Sequence, residues 1–228
     1  MNLEEDEGEE NSFKIVLIGE SGVGKTSIIS QFVSKTFQED VQASTGGAFC
    51  SKTLFLSNGK ELKFDIWDTA GQERYRSLTK LFYKDTNAAI LVYDITREDS
   101  FEQLQTYWIK QIKEFSDKDI IIVIVANKSD LIEEEKVDES IARKLANEVG
   151  AIFCLVSAKN CVGIDEMFFQ IAKKHIGRDD ITIKLGNDKE EQLGNDDEEE
   201  NDKKDKKDRK KLTKDKSFSK NNNKRRCC

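Results

Sequence analysis

The chain has 228 residues, of which 36% are charged, and a formal net charge of −7 at pH 7. This length predicts one domain with appendages. The longest apolar run, Ile120–Ala126, has the length of a strand, so no membrane-spanning helix is expected. Cys50, Cys154 and Cys161 lack metal-ligand spacing, which indicates reduced thiols rather than a metal site.

Charge divides the chain into three parts. Residues 1–11 are acidic and are expected to be disordered, whereas residues 12–177 have ordinary globular composition. Residues 178–228 are almost wholly polar and are expected to form a disordered tail. Within this tail, residues 188–202 carry nine acidic residues and one lysine, and residues 203–226 carry thirteen basic residues and three aspartates. A basic block of this kind indicates an anionic partner, either a membrane or a nucleic acid.

The central part alternates apolar strands with helices. Strands are predicted over Phe13–Ile18, Lys52–Ser57, Glu61–Trp67, Ala88–Tyr93, Ile120–Ala126 and Ile152–Val156. Helices are predicted over Ser27–Val33, Ser100–Phe115, Glu139–Val149 and Asp165–His175, with a short helical segment around Leu78–Tyr83. Asn58-Gly59 indicates one hairpin turn. The alternation predicts a three-layer α/β fold, with a six-stranded, mostly parallel sheet, one antiparallel edge strand and helices on both faces.

A glycine-rich segment, Gly19–Thr26, directly follows the first strand and fits the phosphate-loop pattern G-x-x-x-x-G-K-[ST]. Gly22 and Gly24 let the backbone bring its N–H groups close to oxyanions. Lys25 supplies a charge for the β- and γ-phosphates, and the Thr26 hydroxyl can bind Mg²⁺. The helix that follows directs its positive end at the phosphates. This segment alone predicts a nucleoside phosphate, with ATP and GTP equally acceptable.

A second polar segment, residues 67–73, follows the strand that ends near Trp67. Asp68 lies where phosphate-loop enzymes place the acid that holds Mg²⁺. Gly71 has no side chain, so its N–H can approach the γ-phosphate, and Gln72 can orient a water molecule for in-line attack. These residues predict hydrolysis of a nucleoside triphosphate.

Two further segments indicate the base. Asn127-Lys128-Ser129-Asp130 follows the fifth strand, and the Asp130 carboxylate matches the N1–H and N2–H₂ donors of guanine, which adenine lacks. Ser157-Ala158-Lys159 follows the last strand, where the N–H of Ala158 could contact the guanine O6. An N-cap at Ser157 is the alternative interpretation of this last segment.

In this order and spacing, the four motifs resemble the Ras-like small GTPases over residues 12–177. The resemblance implies a monomeric G domain that binds GTP with Mg²⁺, hydrolyses it slowly to GDP and acts as a molecular switch. It implies a catalytic role for Gln72. It also implies nucleotide contacts from Ser21, Gly22, Val23, Gly24, Lys25, Thr26, Ser27, Asp68, Gly71, Asn127, Lys128, Asp130, Ser157, Ala158 and Lys159.

The first switch loop departs from this family's pattern. The family has a Thr followed by Ile-Gly, ending at Phe, and counting 19 residues from Lys25 or five back from Phe49 places that Thr at Ser44. Ser44 keeps the hydroxyl that would bind Mg²⁺. A shift of one residue would give this role to Thr45, so both stay candidates for GTP binding. The implied metal ligands are Thr26, Ser44 and Asp68.

Other residues resemble the Rab branch. These are Tyr75-Arg76-Ser77-Leu78, the run from Leu91 to Thr96, and the terminal Cys227-Cys228 after a basic stretch. Within that branch, Tyr75-Arg76-Ser77-Leu78 and Gly47-Ala48-Phe49 resemble the early-endosomal group. The resemblance implies an effector-binding aromatic triad, which here consists of Phe49, Trp67 and Phe82, with Phe82 in place of the usual Tyr.

The tail is expected to anchor the protein to a membrane. Rab proteins carry geranylgeranyl groups on the cysteines that match Cys227 and Cys228. Two lipid chains, or one chain with a basic patch, give stable anchoring. The resemblance implies a location on the cytoplasmic face of an endosomal or vesicle membrane, with a cytosolic pool. It implies effectors, an exchange factor, an activating protein, and escort and GDP-dissociation-inhibitor carriers as partners. A nucleic-acid-binding tail is disfavoured, because aspartates interrupt the basic block and Phe218 is its only aromatic residue.

Two alternative functions stay open from the sequence. One is a Ras- or Rho-like signalling GTPase. The other is a GTP-loaded scaffold that rarely hydrolyses its nucleotide, supported only by the altered loop around Ser44.

Overall fold

A computed structural model describes residues 12–39, 47–69, 82–117 and 119–185 of the protein. Several predicted features lie outside these residues. They are the acidic N-terminus, Ser44, Thr45, Gly71, Gln72, most of the short helical segment around Leu78–Tyr83, and the terminal Cys227 and Cys228.

Seven strands of the described chain form one sheet. They are β1 (Ser12–Ile18), β2 (Ala48–Leu56), β3 (Glu61–Asp68), β4 (Ala88–Asp94), β5 (Ile121–Asn127), β6 (Ile152–Leu155) and β7 (Ile183–Leu185). Their order across the sheet is β6-β5-β4-β1-β3-β2-β7. Strands β3, β1, β4, β5 and β6 are parallel, whereas β2 runs antiparallel to both of its neighbours, β3 and β7. The predicted mostly parallel sheet is therefore confirmed.

Helices connect the parallel strands. They are α1 (Lys25–Ser34), α2 (Glu98–Gln103), a π-helical turn (Leu104–Trp108), α3 (Ile109–Phe115), a 3₁₀ segment (Ser129–Glu134), α4 (Glu139–Val149) and α5 (Ile164–Ile176). The three segments α2, π-turn and α3 follow one another directly, so they replace the single helix predicted from Ser100. Within the described part of the chain, no helix is both long and apolar enough to span a membrane.

Two apolar clusters cover the two faces of the sheet. Alternate residues of β1 face opposite clusters: Ile15 and Leu17 pack in one, and Val16 and Ile18 pack in the other. The first cluster includes residues of α1 and α5, and the second includes residues of α3 and α4. Strands β4 and β5 are buried along their whole length, because both of their faces are covered. The predicted three-layer α/β fold is confirmed.

The seventh strand, β7, was not predicted. It lies beyond residue 177, in the stretch assigned to the disordered tail, so the folded domain extends to Leu185. Ile183 pairs with Leu56 and Leu185 pairs with Leu54 on β2. Ile181 is 4% exposed and Ile183 is 8% exposed, and both join the apolar cluster that contains α1. Burial of these two side chains holds the segment on the edge of the sheet.

We predict that Ile183→Asp destabilises the fold. The substitution removes a buried apolar side chain and puts a carboxylate in its place, and it should lower the free energy of unfolding by about 2–4 kcal/mol. Lys184→Asp is the matched control, because Lys184 lies next to it on the same strand and is exposed. Urea denaturation of the full-length variants measures the effect. Equal free energies of unfolding for the two variants would contradict the packing of β7 on β2.

Candidate functional site

The phosphate loop, Gly19–Thr26, connects β1 to α1, as predicted. Gly24 has φ +96°, and a Cβ placed there would lie 2.2 Å from Nδ2 of Asn127. Both the left-handed backbone and this close approach require glycine. The loop is thus packed directly against the segment that follows β5.

Lys25 is buried at the base of this loop, with 6% of its surface exposed. Its Nζ donates to the backbone carbonyl oxygens of Gly19 and Glu20, each at 2.9 Å. Burial lowers the pKa of Lys25 to about 8, and the carboxylates of Asp68 and Glu20 oppose that shift. The phosphate loop therefore positions the ammonium group of Lys25, which gives the loop its positive charge.

Asp68, at the carboxyl end of β3, and Thr26, in the first turn of α1, come together. The Thr26 hydroxyl donates to Oδ2 of Asp68 at 2.6 Å, and Asp68 is 4% exposed. A hydroxyl and a carboxylate are oxygen ligands of the kind that Mg²⁺ prefers, so the two residues fit the ion. Thr69, which the sequence motifs did not single out, donates from Oγ1 to the carbonyl oxygen of Leu17 at 2.6 Å and holds the end of β3 against β1.

Asn127 connects three of the predicted motifs. Its side chain is buried, Nδ2 donates to the carbonyl oxygen of Val23 at 2.8 Å, and Oδ1 accepts from the N–H of Ala158 at 3.2 Å. These two contacts tie the phosphate loop and the segment after β6 to the end of β5. Asn127 therefore acts as a brace between the loops, a role that its motif alone does not reveal.

The Asp130 carboxylate is oriented by Ser157. The Ser157 hydroxyl donates to Oδ1 of Asp130 at 2.5 Å and accepts the N–H of Asn160 at 3.0 Å. No helix of the described chain begins at Ser157, since α5 starts only at Ile164, so the alternative of a helix N-cap is wrong. The hydroxyl instead closes a turn and fixes the carboxylate proposed for guanine.

Lys128 reaches a buried acid that the sequence did not mark as a site residue. Its backbone is left-handed, with φ +69°, and its Nζ lies 2.5 Å from Oδ2 of Asp94. Asp94 is fully buried at the end of β4, and its Oδ1 accepts from both the N–H and the hydroxyl of Thr96. The sequence signal that could have identified Asp94 is its position, an aspartate at the end of an otherwise apolar strand.

Lys159 is not drawn into this network. Its ammonium group lies 3.3 Å from the carboxylate of Glu39, and both side chains are more than half exposed. An exposed pair of this kind contributes little to stability.

The predicted aromatic triad forms one cluster. Phe49 and Trp67 are opposite each other on β2 and β3, with ring centroids 4.9 Å apart, and the Phe82 ring lies 5.4 Å from that of Trp67. Phe49 is 54% exposed. The cluster therefore offers an aromatic surface beside the end of β3 that carries Asp68.

Fold and site together define a phosphate-loop nucleotide-binding protein, because the glycine-rich loop ends β1 and an aspartate ends β3 of a mostly parallel sheet. The model of the Ras family matches residues 14–176. This match covers more than half of the chain, so the protein belongs to the Ras family of small GTPases and is a GTP hydrolase. GTPases of this family use Mg²⁺ with GTP.

Several relatives of the chain are Rab proteins. It is 41% identical to Ras-related protein Rab-22A of Homo sapiens over 161 residues, which is 71% of this chain and 82% of the relative. It is 43% identical to Ras-related protein Rab-5A of Dictyostelium discoideum over 162 residues, which is 71% of this chain and 80% of the relative. It is 40% identical to Ras-related protein Rab-31 of Rattus norvegicus over 180 residues, with 76% and 91% covered. These relatives confirm the predicted Rab type and the early-endosomal branch.

Proposed function

We propose that the nucleotide lies along the carboxyl edge of the sheet, with its phosphates at Gly19–Thr26 and its base at Asp130. The observation that carries this proposal is the position of Asn127. It hydrogen-bonds both the phosphate loop and the segment after β6, which brings the phosphate and base motifs to one edge of the sheet. Ligands of open α/β sheets bind at this edge.

At the phosphate end, the residues Ser21 to Ser27 present backbone N–H groups and the start of α1. The N–H groups donate to the phosphate oxygens, and Lys25 adds its positive charge. Thr26 and Asp68 would hold Mg²⁺, with Ser44 or Thr45 as the remaining ligand from the switch loop. The ion, when held there, would supply positive charge against the negative charge that develops on the phosphates.

At the base end, Asp130 accepts the two guanine N–H donors, and O6 shares the Ala158 N–H with Oδ1 of Asn127 in a three-centre hydrogen bond. Ser157 keeps the carboxylate in position for this pairing. Lys128 is fixed by Asp94 and lies along the same edge of the sheet. An adenine base would leave the Asp130 carboxylate without its donors, which costs binding free energy.

Hydrolysis is a matter of positioning. Gln72 orients the attacking water. The Gly71 N–H contacts the γ-phosphate, so that bound GTP holds the switch loops of the protein until the phosphate leaves. The protein forms no covalent bond to the phosphate. Without an arginine finger, turnover should be slow, on the order of 10⁻⁴–10⁻³ s⁻¹.

We predict that Gln72→Leu slows single-turnover hydrolysis of GTP and leaves GTP affinity unchanged, because the side chain acts on the water and not on the nucleotide. Phosphate release from pre-loaded protein measures the rate, and equilibrium titration measures the affinity. Gln170→Leu is the matched control, because it removes the same amide from an exposed position on α5. Unchanged hydrolysis in Gln72→Leu would remove Gln72 from this role, and wild-type protein that stays GTP-bound would favour a scaffold.

The switch acts in vesicle traffic. GTP-bound protein recruits effectors through Phe49, Trp67 and Phe82, and exchange factors and activating proteins set its nucleotide state. Geranylgeranyl groups on Cys227 and Cys228, together with the basic block before them, hold the protein on the cytoplasmic face of an endosomal or vesicle membrane. Escort and GDP-dissociation-inhibitor carriers supply the cytosolic pool. The exposure of Phe49 and the relatives of Rab-5 and Rab-22 type support this proposal.

A further inference from the structure

Arg97 contacts the phosphate loop from the segment after β4. Its Nη1 donates to the backbone carbonyl oxygen of Ser21 at 2.9 Å, and the same atom lies 3.7 Å from the position of a Cβ on Gly22. The Asp99 carboxylate accepts from the other side of the guanidinium, at 2.6 Å from Nη2 and 3.3 Å from Nε. The side chain of Arg97 therefore bridges Asp99 and the phosphate loop.

The bridge starts from a fixed backbone. The carbonyl oxygen of Arg97 accepts from both the N–H and the hydroxyl of Ser100, at 3.2 and 2.7 Å, and Ser100 is 1% exposed. The preceding residue, Thr96, is bound to the buried carboxylate of Asp94. Because hydrogen bonds fix the backbone of Arg97, its side chain can hold the carbonyl oxygen of Ser21 in one position.

The acceptor belongs to the peptide group between Ser21 and Gly22. This group is planar and trans, so its carbonyl oxygen and its N–H point in opposite directions. Fixing the oxygen therefore fixes the direction of the Gly22 N–H, and a charged donor on the oxygen also strengthens the N–H as a donor. Gly22 has φ +77°, and a glycine restrains its own backbone little. This part of the loop therefore has few internal restraints.

We propose that Arg97, positioned by Asp99, aims the Gly22 N–H at the nucleotide phosphates and thereby slows nucleotide release. Arg97 is a positioning residue, because it acts through the loop. The proposal rests on the nucleotide site proposed above. It adds a residue that none of the four sequence motifs contains.

A second side chain of the loop is held from the same direction. Nε1 of Trp108, which is fully buried in the π-helical turn, donates to Oε1 of Glu20 at 3.1 Å. The π-helical turn and the Arg97 segment thus contact consecutive residues of the loop. Arg97 is the better residue to vary, because its side chain is 38% exposed and its loss leaves no cavity in the core.

The chain contains a matched ion pair that does not touch the loop. Arg178 and Asp180 have the same spacing, with Nη2 2.8 Å and Nε 3.1 Å from the carboxylate oxygens. Both residues are exposed. Substitution of Arg178 therefore removes an equivalent pair and an equal charge without removing a contact to Ser21.

The test measures dissociation of GDP and of IDP from full-length protein in excess Mg²⁺, for wild type, Arg97→Met, Arg97→Lys and Arg178→Met. Loss of a charged hydrogen bond should speed release of both nucleotides about 5- to 30-fold in Arg97→Met. The ratio of the GDP and IDP rates should stay unchanged, since IDP lacks the N2 amino group and the ratio reports the base end. Arg97→Lys keeps one donor and should lie between Arg97→Met and wild type. Arg178→Met should release both nucleotides at the wild-type rate.

Three results would overturn the proposal. Wild-type rates in Arg97→Met would show that the contact to Ser21 does not affect the phosphate loop. Equal acceleration in Arg97→Met and Arg178→Met would show a general effect of charge or stability, and a changed ratio of GDP to IDP release would show loosening of the whole site. Wild-type protein that fails to retain GDP would instead refute the proposed nucleotide site itself, which distinguishes that failure from the failure of Arg97.

Discussion

Asp130→Ala is expected to abolish the preference of the protein for guanine over adenine nucleotides. The Asp130 carboxylate is the acceptor proposed for both N–H donors of guanine, and Ser157 holds it in place. Hydrogen bonds to a charged group contribute about 1.5–3 kcal/mol each, so loss of two should weaken GDP binding about 10²–10⁴-fold. ADP gains nothing from the carboxylate, and its weak binding should change little.

Competition between GDP and ADP for the nucleotide-free protein measures this preference. Glu133→Ala is the matched control, because it removes an exposed carboxylate from the same 3₁₀ segment. The control should keep the full preference for GDP. If Asp130→Ala still selects GDP as strongly as Glu133→Ala does, Asp130 does not read the base.

Gly24→Ala is expected to abolish tight nucleotide binding and to destabilise the fold. Alanine is strained at the φ of +96°, and its Cβ would lie 2.2 Å from Nδ2 of Asn127. Asn127 is buried and cannot move without losing its contacts to Val23 and Ala158. Strain and overpacking together should lower the free energy of unfolding by about 2–5 kcal/mol.

Gly59→Ala separates the two causes. Gly59 also has a left-handed backbone, with φ +80°, but a Cβ there would meet no atom within 4 Å. The Gly59→Ala variant should have a somewhat lower free energy of unfolding and keep wild-type affinity for GDP. Denaturation and GDP titration of both variants measure the difference, and normal GDP affinity in Gly24→Ala would contradict the proposed link between the phosphate and base loops.

The motifs were predictable because their constraints are local. The phosphate loop needs glycines and a lysine at fixed spacing, and each base motif directly follows a strand, so the sequence alone marked Lys25, Thr26, Asp68 and Asp130 as candidates for the nucleotide site. Strands β4 and β5 were also predictable, since each is a continuous apolar run that only burial on both faces explains.

Contacts between distant residues were not predictable. Asn127 and Val23 are 104 positions apart, and Arg97 and Ser21 are 76 apart, so no local pattern joins them. The strand β7 was not predictable for a different reason. Its three residues follow a helix and precede a highly charged tail, and only pairing with β2 makes them a strand.

Single-turnover conversion of GTP to GDP by the full-length protein tests the assignment of a slow guanine-nucleotide switch most directly. Protein loaded with GTP in Mg²⁺ should release phosphate on the order of 10⁻⁴–10⁻³ s⁻¹, and the same protein offered ATP should release none above background. Hydrolysis of ATP at a comparable rate, or GTP that stays intact for many hours, would contradict it.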